Sequence, residues 1–135
     1  MFHDDSAIAL LRDLVAIDSV NPTLVAGARG EADIARRLAD EMRACGLAVE
    51  ITDVAPGRPN VVGVLEGRKS GRSLMFCGHT DTVGVAGMPR PFDADIRNGK
   101  LFGRGSQDMK GGVAAMVDAA RRISESGGPR RGRVV

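Results

Sequence analysis

Leu74-Met75-Phe76-Cys77-Gly78-His79-Thr80-Asp81-Thr82-Val83 is the stretch on which the reading of this chain turns. Leu74 to Cys77 shows no period-2 alternation, the pattern of a strand covered on both faces, and Gly78 marks where the chain leaves the sheet. His79 and Asp81 then stand at the strand's C-terminal end, where ligands gather in open α/β sheets. Two residues apart on an extended chain, their side chains point the same way. That spacing suits a metal-binding imidazole with a carboxylate to orient it, because a ligating histidine donates its second ring N–H to such a partner. It equally suits a histidine that closes a strand, with Asp81 as a turn former.

On the N-terminal side, Asp4-Asp5-Ser6 offers helix caps, and Ala7, Leu10, Leu11, Leu14 and Val15 share one face of a helix running to about Asp18. Asn21-Pro22 breaks it, and the small residues from Val25 to Gly30 form a surface loop. A second helix is predicted from about Gly30 to Cys45, with Ile34, Ala35, Leu38, Ala39 and Met42 inward and Gly46 in the C′ position. Leu47 to Val54 alternates like a half-buried strand, Pro56-Gly57-Arg58-Pro59 turns the chain, and Asn60 to Glu66 is the next strand.

On the C-terminal side, Gly84 to Pro91 is an irregular loop. Asn98-Gly99 joins two short strands, Asp95 to Arg97 and Lys100 to Phe102, because Asn-Gly supplies the positive φ angles of a type I′ turn. Gly103-Arg104-Gly105-Ser106-Gln107-Asp108-Met109-Lys110-Gly111-Gly112 leads into a helix with Val113, Met116, Val117, Ala120 and Ile123 on one face. Asp108 is either the N-cap of that helix or a carboxylate able to bridge two cations. A phosphate loop is excluded, because Met109 and not Gly precedes Lys110, while Gly111 and Gly112 let the helix start pack closely. Gly127-Gly128-Pro129 ends the helix, and Arg133-Val134-Val135 opens another strand.

The bulk numbers narrow the function classes. A chain of 135 residues makes one domain. Its 19 basic and 17 acidic residues are interspersed and only 3 % of residues are aromatic, so a nucleic-acid surface is not expected. Arg130, Arg131 and Arg133 read as a solvated turn. No apolar run approaches the ~20 residues of a membrane span, Met1 to Asp5 is no signal-peptide start, and a soluble cytoplasmic protein is expected. Cys45 and Cys77 are predicted to be free thiols. His3 has no ligand-like context.

Taken together, F-C-G-H-T-D-T-V, a P-F, the N-G-K-L-F-G-R-G hairpin and S-Q-D-M-K-G-G closely resemble the two N-terminal signatures of the dizinc metallopeptidase and deacylase family. That family includes acetylornithine deacetylase, succinyl-diaminopimelate desuccinylase, aminoacylase and glutamate carboxypeptidase. The resemblance is strongest from Leu74 to Gly112; Gly84, where many members have proline, departs from it. It implies an α/β fold of three αβα layers with a mostly parallel or mixed sheet, and hydrolysis of amide bonds in N-acyl amino acids or small peptides. By the same resemblance His79 ligates one zinc, Asp81 is the catalytic aspartate that orients it, and Asp108 bridges two zincs, with Co2+ or Mn2+ as possible substitutes. Family members continue into a strand carrying a Glu-Glu pair, one the general base and the other a ligand. Gly132-Arg133-Val134-Val135 resembles that strand's opening, so residues 1–135 are expected to be the N-terminal portion of the catalytic domain, truncated and inactive alone. A homodimer is expected only of the full-length protein. The alternative is a non-catalytic metal-binding or scaffold module, or half of a split enzyme completed in trans.

Overall fold

A computed structural model describes residues 5–135. The expectation for His3, and the cap read at Asp4, lie outside them. The order of elements is α1 (Asp5–Ala16), α2 (Ala32–Ala44), β1 (Ala48–Ala55), β2 (Arg58–Glu66), β3 (Asp95–Arg97), β4 (Lys100–Phe102), α3 (Gly111–Glu125) and β5 (Arg133–Val134). The class is α/β with a mixed sheet, as expected. β1, β2 and β5 are antiparallel neighbours in that order, and the Leu74 segment joins β5 in parallel.

The helices form where apolar residues recur at helical spacing. Leu10 and Leu14 of α1, Ile34 and Leu38 of α2, and Val113, Ala114 and Val117 of α3 make one buried cluster. Burial of each large side chain there contributes roughly 1.5–3 kcal/mol. A second cluster joins α2 and α3 to one face of the sheet through Cys45, Leu47, Ala120 and Val134. α2 ends as its sequence requires: Gly46 takes φ +84 and its N–H donates to Arg43 O at 2.9 Å. Gly63 of β2 lies where α2 comes nearest, since a Cβ there would stand 2.8 Å from Met42 Sδ. Asn98 (φ +52) and Gly99 (φ +71) turn the β3–β4 hairpin with both residues left-handed, as Asn-Gly predicts.

Three expectations are corrected. α1 stops at Ala16 instead of Asp18, and the next residues run beside Thr80–Thr82, Val20 pairing with Thr82. The alternation in β1 does not produce a half-buried strand: Leu47 just before it is buried, but Ile51 is 39 % and Val54 66 % exposed. The segment Leu74–Cys77 is not a strand buried on both faces. Leu74 is 53 % and Met75 67 % exposed; only Phe76 packs into the second cluster. Its ladder is short, made of Leu74 N–H to Arg133 O, Val135 N–H to Leu74 O and Phe76 N–H to Val135 O. An unbroken apolar run states that both faces want cover, and among the described residues α2 and α3 cover one.

Candidate metal centre

The site forms where the two signature stretches meet. His79 follows the Leu74–Phe76 ladder, and Thr80–Thr82 is held from the other side by the chain leaving α1. Ser19 Oγ donates to Thr80 O at 2.7 Å, Thr82 N–H to Ser19 O at 3.0 Å, and Asn21 N–H to Thr82 O at 2.9 Å. Gly78 faces the start of α3, with Met109 Sδ accepting from His79 N–H at 3.4 Å.

The second stretch returns from the β3–β4 hairpin through a wide turn at Ser106–Lys110, closed by Lys110 N–H to Gly105 O at 2.9 Å. Lys110 is fully buried, and its ammonium donates to Ile17 O at 2.8 Å, tying the turn to the end of α1. Burial pushes its pKa down to about 8, opposed by Asp18. α3 then begins with no side-chain cap bond. The N-cap reading of Asp108 is therefore not what the fold uses. Its backbone is extended (φ −122, ψ 99), its side chain is 87 % exposed, and the Asp108–Met109 peptide is cis.

Asp108 Oδ1 lies 3.1 Å from His79 Nε2, while the ring's other nitrogen lies 3.1 Å from both Asp81 O and Asp81 Oδ1. All three residues singled out in the sequence are thus brought together across 29 positions. The strand-closing reading of His79 does not account for a second carboxylate at Nε2. Burial opposes protonation of His79, but the Asp81 carbonyl and the Asp108 carboxylate outweigh it and hold the imidazole above its ordinary range.

An imidazole nitrogen and a carboxylate oxygen at this separation are the donor types zinc takes, and Asp81 stands where an orienting carboxylate belongs. The donor chemistry fits; the donor number is partial. A catalytic zinc generally has three protein ligands, and no cluster of three or more His, Cys, Asp or Glu suited to a metal occurs among the described residues.

His79 and Asp81 open on a cleft of about 540 Å³ whose floor includes Leu38, Met42, Val113 and Val117. The cleft is lined by Asn60–Gly63 of β2 and by Phe76–Asp81, and β5 lies between the continuations of these segments, Leu65–Glu66 and Leu74–Phe76. At its rim Glu31, 5 % exposed, takes a forked bond from Arg58, with Nη2 to Oε1 at 2.7 Å and Nε to Oε2 at 2.9 Å. The sequence reading passed over this pair, and passed over Asn21, whose Nδ2 donates to Asp81 Oδ2 at 2.7 Å. Asn21-Pro22 signalled only the end of a helix, and nothing local marks a partner 60 residues away.

Residues 75–135 match the model of Peptidase family M20/M25/M40. Over 136 aligned residues the chain is 45 % identical to the succinyl-diaminopimelate desuccinylase of Gluconacetobacter diazotrophicus, covering 95 % of this chain and 32 % of that protein. It is 36 % identical to an N-formyl-4-amino-5-aminomethyl-2-methylpyrimidine deformylase of Halalkalibacterium halodurans, covering 90 % of this chain and 29 % of the relative. The chain thus spans about a third of the length of these relatives. In structure it resembles an M20 family metallo-carboxypeptidase from Sulfolobus solfataricus, with a TM-score of 0.78 at 20 % identity over 99 % of this chain and 30 % of that one. Human carnosine dipeptidase 1 gives a TM-score of 0.75 at 23 % identity, over 98 % of this chain and 31 % of that one. Residues 75–135 are thus similar to Peptidase family M20/M25/M40 and the chain to these relatives, and the solved structures share the fold.

Proposed function

We propose that the chain is the N-terminal portion of the catalytic domain of a zinc-dependent hydrolase acting on amide bonds of N-acyl amino acids or small peptides. The observation that carries this reading is the meeting of His79 Nε2 and Asp108 Oδ1 at 3.1 Å, with Asp81 behind the ring. His79 would hold one zinc, Asp108 would lie between two, and Asp81 would fix the imidazole. When bound, zinc supplies Lewis acidity at a carbonyl oxygen and lowers the pKa of water from 15.7 towards about 7. The residues of this chain orient ligands and wall a cleft beside them; no glutamate of the described chain is placed as a general base. The base and the remaining ligands would come from polypeptide that continues β5 along the cleft, or from a second polypeptide in trans. On this reading the chain by itself is expected to be inactive. Free thiols at Cys45 and Cys77 favour a reducing, cytoplasmic setting. A homodimer of the full-length protein rests on the family resemblance alone.

Zinc binding by the purified chain, with His79→Ala and Asp108→Ala beside it, tests the site. Stoichiometric zinc lost in both variants is expected. No zinc above background would overturn the half-site, and zinc-dependent deacylation by the chain itself would overturn its incompleteness. Stoichiometric zinc with no gain of hydrolysis when the remainder of the protein is added would favour a metal-binding module, the reading to which the two-donor set also points.

A further inference from the structure

His79 and Asp81 are a short-range pair, but what holds Asp81 comes from the far side of α1. Asn21 lies just after the helix, where a following proline keeps its backbone extended. Its N–H is bound to Thr82 O, and its side chain reaches Asp81. The direction of the amide is settled by its neighbours. Asn21 Oδ1 lies 2.9 Å from Thr23 N and 2.7 Å from Thr23 Oγ1. A backbone N–H only donates, so this end of the amide must be the oxygen, and the end facing Asp81 Oδ2 must be the NH2.

The two oxygens of Asp81 are therefore divided. Oδ2 accepts from Asn21 at 2.7 Å, leaving Oδ1 3.1 Å from His79 Nδ1, the same nitrogen that lies 3.1 Å from the Asp81 backbone O. At the other ring nitrogen stands Asp108. A neutral imidazole has one N–H, so the oxygens of Asp81 at Nδ1 and the carboxylate of Asp108 at Nε2 compete for it, and the better fixed of the two residues prevails. Asp108 is 87 % exposed at the side chain and among the described residues bonds only His79, whereas Asp81 is 30 % exposed and anchored by Asn21.

We infer that Asn21 is a positioning residue: by fixing Asp81, whose carbonyl and carboxylate oxygens both lie at Nδ1, it keeps the ring proton of His79 on Nδ1 and leaves Nε2 free to bind metal. The inference rests on the zinc reading for its purpose but not for its test. The outer-shell partners that orient metal ligands are worth about 10- to 100-fold in metal affinity where they have been removed.

The experiment compares the unsubstituted chain with Asn21→Ala, Asn21→Asp and Thr23→Val. Thr23→Val removes the hydroxyl of the same turn and keeps the N–H. The first readout is the 15N spectrum of the His79 ring in the metal-free chain, at a pH where the ring is neutral. The second is the zinc dissociation constant. The Nδ1–H form is expected to dominate in the unsubstituted chain and in Thr23→Val. It should fall at least about twofold in Asn21→Ala and further in Asn21→Asp, with zinc bound about 10- to 100-fold more weakly in both. An unchanged tautomer ratio in Asn21→Ala overturns the assignment, as does an equal change in Thr23→Val, which would show that the turn and not the amide matters. A shift in tautomer with no zinc bound by the unsubstituted chain upholds the assignment and overturns the zinc reading instead.

Discussion

Asp118 is a buried carboxylate on α3 that takes no part in the metal centre, and it supports a quantitative prediction. It is 8 % exposed and accepts from Ser6 Oγ at 2.9 Å, Arg122 Nε at 2.6 Å and Arg121 Nε at 3.1 Å. Ser6, read in the sequence as a helix cap, is spent on this bond, so the cluster ties the start of α1 to α3. Burial by itself would raise the Asp118 pKa. The hydrogen bonds from Arg121, Arg122 and Ser6 outweigh it and bring the value from 3.8 down to about 2. A shift of that size corresponds to about 2 kcal/mol as a ceiling. Solvent at Arg122, 57 % exposed at the side chain, reduces it to about 1 kcal/mol.

The sign follows from which state binds more protons. Between 3.8 and about 2 the unfolded chain is protonated at this position and the folded chain is not. Stability therefore falls as the pH is lowered through that window, and the contribution is complete above it. Asp118→Asn keeps the shape and removes the charge, so the stability gap between the two chains should be about 1 kcal/mol near pH 6 and close as pH approaches about 2. The gap is the quantity to read, because other carboxylates titrate in both chains alike. Urea unfolding followed by far-UV circular dichroism measures it; with no Trp and no Tyr, intrinsic fluorescence offers no comparable probe. A gap of the same size at both ends of the range would refute the charge argument and leave only packing.

Two further outcomes follow. Gly105 opens the turn that carries Asp108 at φ +81, and a Cβ there would lie 2.7 Å from Thr82 Cγ2, which Ser19 pins; Gly57, at φ +70, has nothing within 4 Å. Gly105→Ala should therefore cost roughly 1–3 kcal/mol, more than Gly57→Ala, in which only the backbone strain is felt; equal losses in urea midpoints would contradict this. The exposed apolar residues Ile51, Val54, Leu74 and Met75, with β1 as an edge strand, should make the chain self-associate as its concentration rises; a sedimentation coefficient independent of concentration would count against it.

Much was legible in the sequence because it is local. The Asn98-Gly99 turn, Gly46 after α2 and the helical faces of α2 and α3 depend on residues within a turn or two of each other, and all appear where their chemistry placed them. His79, Asp81 and Asp108 were legible for a different reason: they stand in the two stretches that resemble the family signatures, within the residues the family model matches. Whether Asp108 caps a helix or faces His79 was not legible. The same aspartate before the same helix serves either purpose, and the turn from Gly105 to Lys110, held by the Lys110–Ile17 bond, decides that its carboxylate turns toward the imidazole. The exposure of Leu74 and Met75 was equally hidden, since an apolar run records a demand for cover and only the neighbouring elements meet it. Asn21 and Asp81 lie 60 residues apart, and no periodicity links them; their bond exists because the chain leaving α1 pairs with Thr82. Composition and spacing determined what the chain could build locally and which chemistry it carries. The tertiary structure alone decided which of those groups face one another, because hydrogen bonding and burial act through space and not along the chain.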